Sequence, residues 1–264
     1  IPEGSRTARG TAVINLLQLD GEEHITSVIP IREFTEGNYI LMATKGGMIK
    51  KTPLIEYANV RKNGLNAITL KEEDSLIEVK FTAGDSEILL VTKCGLATRF
   101  NEAEVRSCGR TSMGVTGMKF KNDDDYVIGM QIVDDDSTLL TVSEKGFGKR
   151  TPVSEFPSHH RGGKGITCYK TAEKTGDLVA AKGVEEGMDL LMITDKGQTI
   201  RVALDNVSVI GRNTSGVRIM KVDPDEKIVA VETMEPEPEE TAEEVSEEVP
   251  EETAEEKAAE DTEE

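Results

Sequence analysis

The chain has 264 residues, with 31 Lys and Arg against 50 Asp and Glu, for a formal net charge of −19. With no Trp and only 4% aromatic residues, it argues against the aromatic base-stacking platforms of single-strand binders. Its three cysteines, Cys94, Cys108 and Cys168, are far apart with no C-x-x-C spacing, which argues against a thiolate zinc site and fits a reducing compartment.

The charge is unevenly spread. From Met234 onward the sequence holds 16 acidic residues and one Lys, a net of −15, so residues 1–233 carry only −4. The tail lacks large apolar residues and repels itself, so residues 234–264 are expected to be disordered, beside a folded domain at 1–233. The start, "IPEGSRTARG", has no apolar signal segment and no initiator Met, and is expected to be the start of a fragment. No apolar run reaches membrane-spanning length.

In chain order, the first feature is the loop "RTARG" ending at Gly10, followed by the apolar run "TAVINLLQL". Four similar blocks come next: "ILMATKGGMIKKTPLIEY", "ILLVTKCGLATRFNEAEV", "LLTVSEKGFGKRTPVSEF" and "LLMITDKGQTIRVALDNV". Each is an apolar run, a Thr or Ser, two residues and a glycine: Gly47, Gly95, Gly146 and Gly197, spaced 48, 51 and 51. A polar pair before glycine suits a tight hairpin. After each block a loop ends at a second glycine: Gly64, Gly114, Gly165 and Gly216. Short strands are expected after these glycines, in "LNAITL", "VTGMKF", "ITCYK" and "VRIMKV". A further strand closes each unit, as in "DSLIEVKFT", "DYVIGMQIV", "DLVAAKGV" and "EKIVAVETM". Only pieces such as "NEAEV" have room for a turn of helix. About four strands repeating every ~50 residues predict an all-β, propeller-like array. A β-solenoid is the weaker alternative, because its coils are shorter. About five blades are expected, the first incomplete because its hairpin would precede Ile1.

Basic residues recur at fixed phase. Lys51, Arg99, Arg150 and Arg201 stand four residues after each hairpin glycine, joined by Lys50 and Lys149. Arg6, Arg110, Arg161 and Arg212 stand four before a loop glycine, and Arg61 three before Gly64. Arg9, Lys62 and Lys164 add charge to the same loops. Lys and Arg on strand edges also serve simply to block aggregation. That role does not explain a phase repeated from unit to unit. Equivalent positions of a ring fall at equivalent places on its rim, so the expectation is a basic band for the phosphates of double-stranded DNA. The loops read "RTARG", "RKNG", "RTSMG", "RGGKG" and "RNTSG", combining guanidinium forks with small residues that admit close backbone approach. No base-reading helix is visible, so contacts would go to phosphates, with preference set by DNA bendability.

"HHRGGKG", residues 159–165, invites other readings. Adjacent His159 and His160 are poorly placed to ligate one metal from a strand, and the stretch lacks P-loop spacing. No nucleophile–base set stands out. Asp123–Asp125 and Asp134–Asp136 read as solvated turns. An enzyme is therefore disfavoured. A propeller-like scaffold for protein partners remains as an alternative.

"GSRTARGTAVINLL", "TEGNYILMATKGGMIKKT", "SCGRTSMGVTGM" and "SVIGRNTSGVRIMKV" resemble the C-terminal domain of the gyrase A protein of bacterial DNA gyrase, over residues 1–233 in one register. The resemblance implies a six-bladed β-pinwheel, with strands exchanged between blades and a basic perimeter that wraps DNA with a positive crossing. It implies no cofactor in this chain, since ATP and Mg would act elsewhere in the holoenzyme. As partners it implies the gyrase B protein together with the rest of the gyrase A protein, in an A2B2 holoenzyme. It further implies a cytoplasmic, nucleoid-associated location, and neither membrane nor small-molecule substrate. The related topoisomerase IV domain is the runner-up. The family's signature loop reads Q-x-R-G-G-(K or R)-G. His159, His160, Arg161, Gly162, Gly163, Lys164 and Gly165 resemble it, with His159 in place of Gln. The decisive copy belongs to the first blade and is expected upstream of Ile1. The acidic tail resembles tails that compete with DNA for the rim.

Overall fold

The computed structural model describes residues 23–60 and 64–236, with isolated residues 12, 15 and 17. The expected acidic tail beyond residue 236 therefore lies outside the described residues, as do Arg6, Arg9, Arg61 and Lys62.

The four sequence blocks fold as four hairpins: β1 (Tyr39–Thr44) with β2 (Met48–Pro53), β4 (Glu87–Thr92) with β5 (Leu96–Asn101), β8 (Thr138–Ser143) with β9 (Phe147–Pro152), and β12 (Asp189–Thr194) with β13 (Thr199–Ala203). A longer strand flanks each: β3 (Leu76–Thr82), β7 (Val127–Val133), β11 (Leu178–Val184) and β15 (Ile228–Met234). Strands β3, β7, β11 and β15 pack side by side in that order, which sets the blades in an arc.

The fourth strand of a blade comes from the next unit. β6 (Val115–Thr116) pairs with β2, β10 (Ile166–Thr167) with β5, and β14 (Val217–Arg218) with β9. This is strand exchange between blades. The exchanged strands are only two residues long, shorter than the sequence runs, because the chain then turns away to start the next long strand. Residues 65–70 form no strand, since no described hairpin offers them an edge. The fourth described sheet likewise has three strands, β13-β12-β15. The piece "NEAEV" gives one 3-10 turn, Glu102–Glu104, started by the Asn101 side chain accepting from Ala103 N–H at 2.8 Å.

Loop glycines make the exchange possible. Gly114 has φ +82° and a Cβ there would lie 2.3 Å from the Ile49 carbonyl oxygen. Gly165 has φ +69°, with a Cβ 2.6 Å from the Ala97 oxygen. Only glycine combines that dihedral with that approach.

Blade faces meet in apolar seams. Leu41, Ile49, Leu90, Phe100 and Met118 fill the first. Leu89, Leu139, Phe156, Tyr169 and Leu178 fill the second, and Leu140, Leu190, Met192, Leu204 and Met220 the third. Each fully buried Leu or Ile contributes roughly 1.5–3 kcal/mol through removal of apolar surface from water.

Candidate nucleic-acid interface

The strongest basic phase of the sequence is inside the seams. Lys50 and Lys149 are fully buried; Lys51, Arg99 and Arg150 are buried to within a few per cent. This corrects the expectation that these five form an outer band. The second strands of the first three hairpins, β2, β5 and β9, face the 3-10 turn of the next blade, whose carbonyl oxygens have no strand partner there. Lys51 Nζ donates to Glu102 O at 2.9 Å. Arg99 donates to Val153 O at 3.4 Å and Phe156 O at 3.2 Å, and is neutralised by Glu87 at 3.0 Å and Asp135 at 2.7 Å. Arg150 Nε donates to Val207 O at 2.9 Å. The repeated cation is thus a clasp between neighbouring blades. Arg201, in the last described hairpin, is half-buried and pairs instead with Asp189 of its own blade at 2.6 Å.

Lys50 and Lys149 hold loops from beneath. Lys149 Nζ donates to Gly211 O at 2.8 Å, Arg212 O at 2.6 Å and Thr214 Oγ1 at 3.2 Å. Lys50 Nζ donates to Ala67 O and Arg110 O. Burial pushes the Lys149 ammonium down to about 8 and lowers Lys50 as well.

The loop arginines tie loop to loop. Arg161 donates through Nε to Glu104 O at 3.1 Å and through Nη1 to Thr116 O at 3.0 Å. Arg212 Nη1 donates to Thr167 O at 3.0 Å, and Arg110 Nη1 reaches Asn66 O at 3.4 Å. All three arginines are half-buried. Each of these acceptor residues at 66, 116 and 167 is two residues after the preceding loop glycine. In the 159–165 loop, Glu104 also accepts from Arg161 N–H at 3.1 Å and faces His160 Nδ1 at 3.0 Å. Partial burial of Glu104 works against ionisation, but these donors hold its carboxyl below the usual range. His159, His160, Gly163 and Lys164 are exposed; Gly162 and Gly165 are half-buried. Among the described residues no His, Cys, Asp and Glu group is arranged to hold a metal.

A second basic phase is exposed. Lys119, Lys170 and Lys221 each stand five residues after a loop glycine, spaced 51 and 51, and all three are exposed. Lys119 N–H donates to Gly163 O at 2.9 Å, and Lys170 N–H to Thr214 O at 3.0 Å. Lys119 and Lys170 are therefore seated beside the next blade's loop, next to Lys164 in one case. Arg218 and Lys174 flank the Phe147 ring at 5.1 and 5.2 Å from its centroid. The exposed phase has the same period as the buried one and is legible in the sequence. These lysines follow the loop glycine, whereas the loop arginines precede it.

The profile of the DNA gyrase C-terminal domain, described as a beta-propeller, matches residues 1–32, 38–83, 86–134, 137–185 and 189–233, one segment per repeat. The chain belongs to the DNA gyrase C-terminal domain family. It is 47% identical over 231 residues to the gyrase A protein of Clostridium acetobutylicum, covering 88% of this chain and 28% of that one. It is 40% identical to the gyrase A protein of Salmonella typhimurium over 232 residues, covering 88% and 26%. The chain therefore spans about a quarter of the length of the relatives it matches. Among solved structures, it resembles a DNA topoisomerase IV C-terminal domain with a TM-score of 0.80 at 26% identity, covering 86% of this chain and 71% of that one. A DNA gyrase A C-terminal domain gives 0.76 at 27%, covering 86% and 75%. Among the described residues no helix is long and apolar enough to cross a membrane.

Proposed function

We propose that this chain is a non-catalytic DNA-binding and DNA-wrapping module of a gyrase A protein, bending duplex DNA around its loop rim to support ATP-dependent negative supercoiling. The observation that carries the reading is the exposed lysine phase, Lys119, Lys170 and Lys221, repeating through a gyrase-family array with the first two seated beside the next blade's loop. Lys164 extends it. DNA laid across successive loops would meet Lys119, Lys170 and Lys221 in turn. Elastic bending of a 20–30 bp segment costs about 1–6 kcal/mol, which several phosphate contacts offset through counterion release. ATP and Mg would be used elsewhere in an A2B2 assembly in the cytoplasm, so the module needs no cofactor of its own. The boundary between a DNA-binding body at 1–233 and an acidic tail that competes for the rim belongs to the same reading. Binding to a duplex of about 100 bp, measured against salt, tests it. A log–log slope steeper than about −3 is expected, and a flat slope would refute it.

The topoisomerase IV reading draws on the TM-score of 0.80. Ligation of nicked circles in the presence of the protein separates the two: positive linking-number change supports the gyrase reading.

A further inference from the structure

The three exchanged loops are seated alike. Cys108 N–H donates to Lys51 O, His159 N–H to Arg99 O and Ile210 N–H to Arg150 O, at 2.8–2.9 Å in each case. Beneath two of them a lysine fills the same place in the hairpin register, Lys50 opposite Met42 and Lys149 opposite Thr141. Beneath the third, the equivalent residue is Thr98, opposite Leu90. Threonine lacks the four-methylene chain and the ammonium. A cavity of about 240 Å³ lies here, lined by Thr98, Phe156, Pro157, His160 and Gly163 among others. One wall is apolar. At the other end stands His160, the counterpart of Gly211, whose carbonyl oxygen receives Lys149.

We propose that this cavity under the 159–165 loop is a binding site for a primary alkylammonium, which takes the place that a buried lysine holds under the sister loops. Methylenes would lie against Phe156 and Pro157, and the ammonium would donate to loop oxygens, as Lys149 does to Gly211 and Arg212. In the sister loop the oxygens of Gly211 and Arg212 take a charged donor, and a charged donor makes the stronger hydrogen bond to such oxygens. No carboxylate lines the cavity, which disfavours a divalent metal. Arg99 also lines it, but its charge is already met by Glu87 and Asp135. Arg150 stands in the same relation to Lys149, so a neighbouring guanidinium is compatible with an ammonium at this place.

The site is read without DNA, so its test does not depend on the DNA-binding reading. The probe is n-butylammonium chloride, titrated into the 15N-labelled chain at constant ionic strength, with amide shifts followed by NMR. Saturable shifts are expected at Thr98, His160, Gly163 and Gly165, with Kd on the order of 1 mM or weaker for so small a ligand. 1-Butanol and tetramethylammonium chloride should not reproduce them. Thr98→Lys supplies the ammonium internally and should abolish the response. Thr98→Met fills the cavity with a neutral chain and should do the same, should the lysine variant misfold. Shifts spread over the acidic surface, or an unaltered response in both variants, would overturn the proposal.

Discussion

Arg99→Met separates a clasp from a phosphate contact. Methionine keeps most of the alkyl packing and removes the guanidinium. The loss leaves Val153 O and Phe156 O without their donor and Glu87 without its cation. Asp135 is 71% exposed, so its bond adds little. Breaking a buried pair costs about 3–5 kcal/mol when both partners are enclosed. Glu87 retains the Asn101 amide at 3.1 Å, which places the expected cost at the lower end, about 3 kcal/mol. With an m-value of about 2 kcal/mol/M, the urea midpoint should fall by about 1.5 M. DNA affinity of the folded variant, and its salt slope, should match the parent. A slope shallower by about 0.9 with an unchanged urea midpoint would show that Arg99 meets a phosphate after all, and the clasp argument would fail.

The opposite pattern is expected for the exposed phase. Combined Lys119→Ala, Lys170→Ala and Lys221→Ala should flatten the salt slope by up to about 2.7, about 0.9 per lost contact, while stability stays within about 0.5 kcal/mol. An unaltered slope would remove these lysines from the interface. Gly165→Ala should cost about 3 kcal/mol in urea unfolding, because its Cβ would meet the Ala97 oxygen at 2.6 Å as well as suffer positive φ. Gly187→Ala, with φ +78° and nothing within 4 Å, should cost only about 1 kcal/mol; equal costs at both sites would contradict the packing account.

The fold was legible because period and turn chemistry act locally. The hairpins at Gly47, Gly95, Gly146 and Gly197 formed where an apolar run met a polar pair and glycine. What the sequence does not display is the partner of each short strand. Val115–Thr116 reads like any strand, yet its pairing with Met48 and Ile49 crosses from one unit to another. The basic phase was legible in its period but not in its orientation. Strand alternation alone puts Lys50 and Lys51 on opposite faces, and a single isolated sheet would expose one of them. Here the next blade covers both, one under its loop and the other against its 3-10 turn.

A charge that repeats with a fold is therefore open to two physical readings, and burial decides between them. A seam between blades presents carbonyl oxygens at the same place every turn of the array. A cation at fixed phase is a fitting donor for them, and the seam selects it as strictly as DNA would. The two requirements are linked in space. Lys149 occupies the inward oxygens of the 210–216 loop, and Arg212 fixes that loop to the strand before it. A loop held from beneath in this way turns its remaining backbone and its exposed neighbours, Lys170 and Lys221, to solvent. Under the proposed DNA-binding reading, the buried cations would make no phosphate contact of their own. Losing one should loosen a seam and lower stability, while the exposed lysines keep their place and their charge.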